Sequence, residues 1–232
     1  MEIRIKLKEE ALTLISQRIN GTDRYSFQKI KGSNDIHFCS RSPSQNTILV
    51  PLTCPWDAAS LNRKDRFTGE INFLRWIISN FASYHVIIPI HPIERHRFAQ
   101  RYDNLRQIFR NVPNLEIISG DADVNSYDLL SDIDFMVCRN TSLGAEAHLL
   151  GVPVYSTTLN YWNDSTNLTE TKINKDDIHI RYVLAQKYNY VFPECNLSNV
   201  RHKIDEMPNF DLFSRMIENR VSMIEEVLSD AE

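Results

Sequence analysis

The chain has 232 residues, of which 24% are charged, and its formal net charge is −4. This length suits one large domain or one domain with extensions, and the slightly acidic balance argues against a broad basic surface for nucleic acid. No apolar run approaches the roughly 18 residues of a membrane-spanning helix, and the N-terminus lacks the apolar core of a signal peptide. We therefore expect a soluble, cytoplasmic protein.

The cysteines and histidines show no spacing typical of metal ligands. The four cysteines contain no Cys-x-x-Cys pair, so neither a zinc site nor a redox motif is indicated. The Gly-x-Gly-x-x-Gly and P-loop patterns are also absent, which removes support for dinucleotide oxidoreduction and P-loop phosphoryl transfer. The sequence thus predicts no metal and no cofactor.

The N-terminal part is predicted to be one helix followed by a polar connector. Leu7, Ala11, Leu14 and Ile15 recur at helical spacing, and Asn20-Gly21 supplies a helix end. Residues after this helix are polar and rich in turn formers until a regular alternation begins at residue 46. We therefore divide the chain into a helix and connector (1–45) and one domain with a C-terminal helix (46–232).

Buried strands alternate with amphipathic helices through most of the second part. Strands are predicted at 47–52, 85–90, 115–118, 135–138 and from 154, and helices at 67–81, 94–110, 126–130, 143–150, 177–188 and 210–228. This alternation predicts an α/β fold, a Rossmann-like parallel sheet with helices on both faces. With the strand order 3-2-1-4-5, ligands would bind beyond the carboxyl ends of the first and fourth strands, where the sheet reverses direction. The polar stretch 157–176 is expected to be a surface loop.

The turn after the fourth strand is the most informative motif. Asn140, Thr141 and Ser142 place hydroxyls and backbone N–H groups at the start of a helix, where anions bind. Glu146 lies one helical turn after Ser142, on the same face. A hydroxyl for phosphate beside a carboxylate for sugar hydroxyls predicts a nucleotide-sugar site.

Three further segments follow predicted strands at the same edge of the sheet, and each has a structural alternative. His91-Pro92 could contact a phosphate, or His91 could simply precede a turn. The loop 119–126 could receive a nucleobase, or it could be a turn leading to a helix capped by Asn125. Asp57 could orient a sugar or a catalytic partner, or it could belong to an irregular loop.

Together these motifs resemble the C-terminal, nucleotide-sugar-binding half of GT-B glycosyltransferases. More narrowly, the chain is similar to the bacterial capsule polysaccharide synthesis family, whose members include Kdo transferases that use CMP-Kdo. The resemblance covers about residues 46–160 and implies metal-independent transfer, with helix dipoles and side-chain donors stabilising the departing nucleotide. It implies catalytic roles for His91 and Asp57. It also implies that the donor nucleotide is bound by His91, Pro92, Ser119, Gly120, Val124, Asn125, Asn140, Thr141, Ser142, Gly144 and Glu146.

The resemblance extends to only one of the two halves of a GT-B enzyme. The expected partners are a nucleotide-sugar donor, a glycan or glycolipid acceptor in capsule or lipopolysaccharide synthesis, and a second half on another domain or chain. Peripheral association with the inner face of the bacterial membrane is compatible with this function. Two alternatives stay open: a UDP-sugar epimerase-like enzyme, and a non-catalytic binding or assembly module.

Overall fold

The structure is a computed structural model, and it describes most of the chain up to residue 187. The described residues are 2–22, 45–53, 67, 69–89, 91, 99–118, 124–163, 168 and 173–187. The predicted helix at 210–228 lies outside them. So do four of the predicted site residues: Asp57, Pro92, Ser119 and Gly120.

Strands and helices alternate along the described chain as the sequence predicts. The strands are β1 (Thr47–Leu49), β2 (His85–Ile88), β3 (Leu115–Ile117), β4 (Phe135–Cys138) and β5 (Val154–Ser156). The helices are α1 (Glu2–Ile19), α2 (Glu70–Asn80), α3 (Ala99–Ile108), α4 (Ser126–Leu129), α5 (Ser142–Leu149) and α6 (Lys175–Lys187).

The five strands form one parallel sheet in the order β3-β2-β1-β4-β5. The central register pairs Ile48 with Val86 on one side and with Phe135 on the other. This order confirms the predicted Rossmann-like α/β fold. It also places the reversal of direction between β1 and β4, so a crevice is expected beyond the carboxyl ends of these two strands.

Both faces of the sheet are covered because the strands are predominantly apolar and their central residues are buried. Alternate residues point to opposite faces. Ile48 and Val86 pack against α2 and α3, whereas Leu49 and Ile87 belong to the core that also contains α1, α4, α5 and α6. All four side chains are fully buried. A parallel sheet covered in this way has no solvated face, which leaves its edges for ligand binding.

Helix α1 is part of this core. Its residues Leu7, Ala11 and Ile15 are buried in the same cluster as the sheet. Lys8 Nζ donates to Asp176 Oδ1 at 2.6 Å, and Arg18 Nη2 donates to Gln186 Oε1 at 2.8 Å. Lys8 precedes Arg18 on α1 by as many residues as Asp176 precedes Gln186 on α6. The two helices therefore run parallel to each other.

The stretch after β5 differs from the predicted surface loop. Thr157, Thr158, Asn160, Trp162 and Asn163 are all buried. The two asparagines bond within the loop: Asn160 Oδ1 accepts from Trp162 N at 3.0 Å, and Asn163 Nδ2 donates to Thr158 O at 2.8 Å. Polar composition was therefore a misleading signal for exposure, since these groups satisfy the backbone instead of water.

The ranges that the structure describes contain neither a membrane-spanning helix nor a cluster of metal ligands. None of the helices there has both the length and the apolar character needed to cross a membrane. No group of three or more His, Cys, Asp or Glu side chains in those ranges is arranged to hold a metal ion.

Candidate functional site

The turn from β4 to α5 lies beside the reversal of the sheet. Cys138 ends β4, and α5 begins at Ser142. Thr141 is the N-cap: its Oγ1 accepts from Leu143 N at 3.3 Å, and its carbonyl accepts from Gly144 N at 3.1 Å. The Thr141 hydroxyl proton can still be donated, because a hydroxyl is one donor and two acceptors. Asn140, Thr141 and Ser142 are half-buried, so the predicted helix start is present at the expected edge.

His91 follows the carboxyl end of β2, next to β1 in the sheet. Its backbone N–H donates to the hydroxyl of Tyr102 at 3.1 Å, and Tyr102 is fully buried on α3. This bond fixes the chain where it leaves the strand. The His91 residue is half-buried and lies at the same edge of the sheet as the α5 helix start.

Glu146 occupies a buried polar cluster that joins four helices. Its side chain is only 2% exposed. Oε1 accepts from Arg18 Nη1 on α1 and from the Tyr182 hydroxyl on α6 at 2.7 Å. Oε2 accepts from the Tyr127 hydroxyl on α4 at 2.6 Å. We call Arg18, Tyr127, Glu146 and Tyr182 the Glu146 cluster.

The electrostatics of the Glu146 cluster keep Arg18 and Tyr182 in their donating forms. Burial by itself lowers the pKa of Arg18, but the Glu146 carboxylate, together with Tyr182 and Tyr127, outweighs this effect and holds the pKa above its ordinary value. Burial raises the pKa of Tyr182, and the nearby Glu146 charge raises it further. Both groups therefore stay protonated over the physiological pH range and keep donating to the carboxylate.

Asn125 has two structural contacts, one on each end of its amide. Its Oδ1 accepts from Tyr127 N at 2.9 Å, which confirms it as the N-cap of α4. Its Nδ2 donates to the carbonyl of Ile19, in the last turn of α1, at 3.2 Å. Tyr127 thus connects Asn125 to Glu146, and two of the predicted ligand-binding residues belong to one hydrogen-bonded network. The neighbouring Val124 packs against the core.

Gly144 is explained by packing within the protein. A Cβ atom at this position would lie 2.5 Å from Trp162 Cζ2 and 3.1 Å from Cys138 Sγ. Only glycine therefore lets α5 approach the indole ring this closely. Sequence reasoning missed Trp162 because the loop that carries it was expected to be exposed.

Two arginines hold the ends of the segment that contains Asp57. Arg101 Nη2 donates to the carbonyl of Thr53 at 3.1 Å, and Arg139 Nη2 donates to the carbonyl of Phe67 at 3.0 Å. Arg139 comes directly after β4, and its own carbonyl accepts from Ser156 Oγ at 2.8 Å. The chain is thus fixed on both sides of the residues that follow β1. Neither arginine was predicted. The carbonyls that they bond leave no side-chain pattern in the sequence, and Glu70, which pairs with Arg101, lies 31 residues away.

Arg18, Tyr127 and Tyr182 were also not predicted as members of the site. Arg18 and Glu146 are separated by 128 residues in the sequence, so no local spacing relates them. A cation in the last turn of a helix is ordinarily explained by the helix dipole alone. The chain therefore carries no sequence signal for this ion pair, which only the packing of α1 against α5 and α6 creates.

Comparisons with known proteins found similar chains among the solved structures. No protein-family model matches the chain, and no curated protein matches it. Among solved structures, the chain is similar to the Thermosulfurimonas dismutans KpsC β-Kdo 2,7 transferase, with 14% identity and a TM-score of 0.48 over 76% of this chain and 52% of that one. It is also similar to the β-Kdo 2,4 transferase of the same KpsC, with 11% identity and a TM-score of 0.46 over 76% of this chain and 55% of that one. The chain spans about half the length of these structures.

Proposed function

We propose that this chain is the donor-binding half of a metal-independent GT-B glycosyltransferase, and that its donor is a CMP-sugar such as CMP-Kdo. The product would be a surface polysaccharide, capsule or lipopolysaccharide, made on the cytoplasmic side of a bacterial membrane. The acceptor, a glycan or glycolipid, would be bound by a second half on another domain or chain.

One observation carries this proposal. A capped helix, α5, starts at the reversal of the sheet, and both its N-cap, Thr141, and its first residue, Ser142, carry hydroxyls. Backbone N–H groups and the positive end of the helix dipole favour a phosphate at that point. Because parallel α/β sheets bind ligands at this reversal, the position of the helix start and its chemistry support the same ligand class.

The other predicted residues take roles around that phosphate. His91 would donate to the phosphate or assist the leaving group, and Asp57 would orient the sugar or a catalytic partner. Asn125, with the neighbouring backbone, would receive the base, and Glu146 would accept from ribose or sugar hydroxyls. Both of these side chains already have protein partners, so ligand binding would have to exchange some of those contacts.

Calorimetric titration tests this function directly. We expect the chain to bind CMP more tightly than CDP, UDP or GDP. Preference for UDP would contradict the CMP-sugar donor and favour the epimerase-like alternative, and no binding by any of the four would contradict the nucleotide site.

A matched pair of serine variants tests the position of the site. We expect Ser142→Ala to weaken CMP binding about tenfold, since one hydrogen bond to a charged group contributes roughly 1.5 kcal/mol. Ser79→Ala serves as the control, because Ser79 Oγ donates only to the carbonyl of Arg75 on the exposed side of α2. Equal affinity in the two variants would place the phosphate elsewhere.

A further inference from the structure

The last turn of α1 contacts both predicted ligand-binding side chains that lie deepest in the site. Arg18 Nη1 donates to Glu146, and the Ile19 carbonyl accepts from Asn125 Nδ2 at 3.2 Å. These two contacts come from consecutive residues of one helical turn. Glu146 and Asn125 lie 21 positions apart in the chain and follow different strands, so their shared partner is a property of the fold.

The hydrogen-bonding capacity of Glu146 is largely used. An ionised carboxylate accepts about four hydrogen bonds. Three are accounted for by Arg18, Tyr127 and Tyr182. A ligand that offers two neighbouring hydroxyls therefore needs one protein donor to leave.

Arg18 is the donor that can leave. Its side chain is 15% exposed, whereas Tyr127 and Tyr182 are 6% and 0% exposed. The tyrosines are part of the apolar core, so moving them would disturb its packing. Arg18 is also the only one of the three with a charge, and an anionic ligand offers that charge a new partner.

We propose that the last turn of α1 closes the donor site in the ligand-free protein, and that binding of the nucleotide-sugar displaces Arg18 from Glu146 and Ile19 from Asn125. This inference rests on the proposed function. It assigns to α1 an autoinhibitory contact, which lowers the apparent affinity because only the fraction of molecules with the turn withdrawn can bind the ligand fully.

The test compares two variants of the full chain, Arg18→Met and Lys8→Met. Lys8 is the matched control: it lies on the same helix and pairs with Asp176 on the same neighbouring helix, but on the exposed surface. A closed state that leaves about 1–10% of the molecules open predicts that Arg18→Met binds CMP about 10- to 100-fold more tightly. Lys8→Met is expected to bind as the unmodified chain does.

The outcomes separate the inference from the function. Tighter binding by Arg18→Met alone supports the autoinhibitory contact. Unchanged or weaker binding by a folded Arg18→Met, with normal binding by the unmodified chain, overturns the contact and leaves the function standing. If neither the unmodified chain nor Arg18→Met binds CMP, the proposed function fails, and the inference fails with it.

A second measurement uses the unmodified chain, since Arg18→Met leaves a buried carboxylate without its cation and could fail to fold. The amide N–H groups of Asn20, Gly21 and Thr22 bond to the carbonyls of Ser16, Arg18 and Gln17 in the last turn. We expect saturating CMP to speed hydrogen exchange at these three amides by about tenfold or more. Unchanged or slower exchange would show that the turn stays in place, which overturns the inference.

Discussion

At Gly144 a hydrogen atom in place of a side chain lets the Trp162 ring lie directly against helix α5. The ring is completely buried and belongs to the same core cluster as Cys138. Cys138 is itself fully buried, which raises the pKa of its thiol, so this cysteine is an inert core residue. The orientation of the helix start in the proposed site therefore depends on one close contact within the protein.

We expect Gly144→Ala to lower the free energy of unfolding by about 1–3 kcal/mol, because the added methyl group overpacks the contact with Trp162. Urea unfolding measures this difference. Gly69→Ala is the control, since a Cβ there has nothing within 4 Å and the backbone is extended (φ 175°). Equal midpoints for the two variants would contradict the close approach of Trp162 to α5.

For single residues, the sequence predicts which helix or turn each one belongs to, but it does not predict which distant residues each one contacts. The spacing of Ser142 and Glu146 correctly places both on α5, and Asn125 is the helix cap that its neighbours predict. The donors to Glu146 come from residues 18, 127 and 182. Such contacts depend on how helices pack, so a local pattern cannot supply them.

Helix α5 is too short to be stable by itself, and both of its ends are capped. Isolated helices of fewer than about 12 residues are marginal in water. Thr141 caps the start, and Gly151 ends the helix with φ 93°. Val152 N donates to Ala147 O at 2.9 Å and Gly151 N to His148 O at 3.1 Å, which is the Schellman arrangement. The sequence Gly151-Val152-Pro153 predicts this helix end, because glycine takes a positive φ without strain and proline cannot continue the helix.

Helix α6 carries a group that should make stability depend on pH. Burial lowers the pKa of His179, and the nearby Lys8 and Lys175 charges add to this effect, while the bond to the Lys175 carbonyl and the Asp176 charge oppose it. The unfolded chain takes up a proton near pH 6.5, whereas the folded chain resists it. Stability is therefore expected to fall as the pH drops below that value.

We expect this loss between about pH 7 and about pH 5.5, and we expect His179→Gln to reduce it. Urea unfolding at the two pH values, with and without the substitution, measures the difference. Asp176 does not interfere, because Lys8 lowers its pKa below the ordinary 3.8, and its contribution is lost only in stronger acid. An unchanged pH slope in the variant would show that another group is responsible.

Across the whole molecule, the apolar strands made the sheet predictable, but the position of α1 was not. Continuous apolar runs separated by amphipathic helices leave few arrangements besides a covered parallel sheet, and the order β3-β2-β1-β4-β5 is among the common ones. Helix α1 precedes the sheet by a long connector and was assigned to a separate segment. Its buried residues Leu7, Ala11 and Ile15 join the same core as α5 and α6, a placement that periodicity alone does not specify.

A donor-binding half should bind its nucleotide alone but should not transfer the sugar alone. Under the proposed function, this chain holds the donor, and the acceptor is bound elsewhere. CMP at about 100 times its dissociation constant should therefore stabilise the isolated chain by about 2.7 kcal/mol, since it binds only the folded state.

CMP-Kdo should not be turned over by this chain until a second chain with an acceptor half is added. Thermal unfolding and CMP release measure the two effects. Ser142→Ala is the control: with binding weakened about tenfold, it should keep only about half of the stabilisation. Sugar transfer by the chain alone would mean that it contains the acceptor site and the catalytic base, whereas stabilisation without transfer in any combination of chains would favour a non-catalytic binding module.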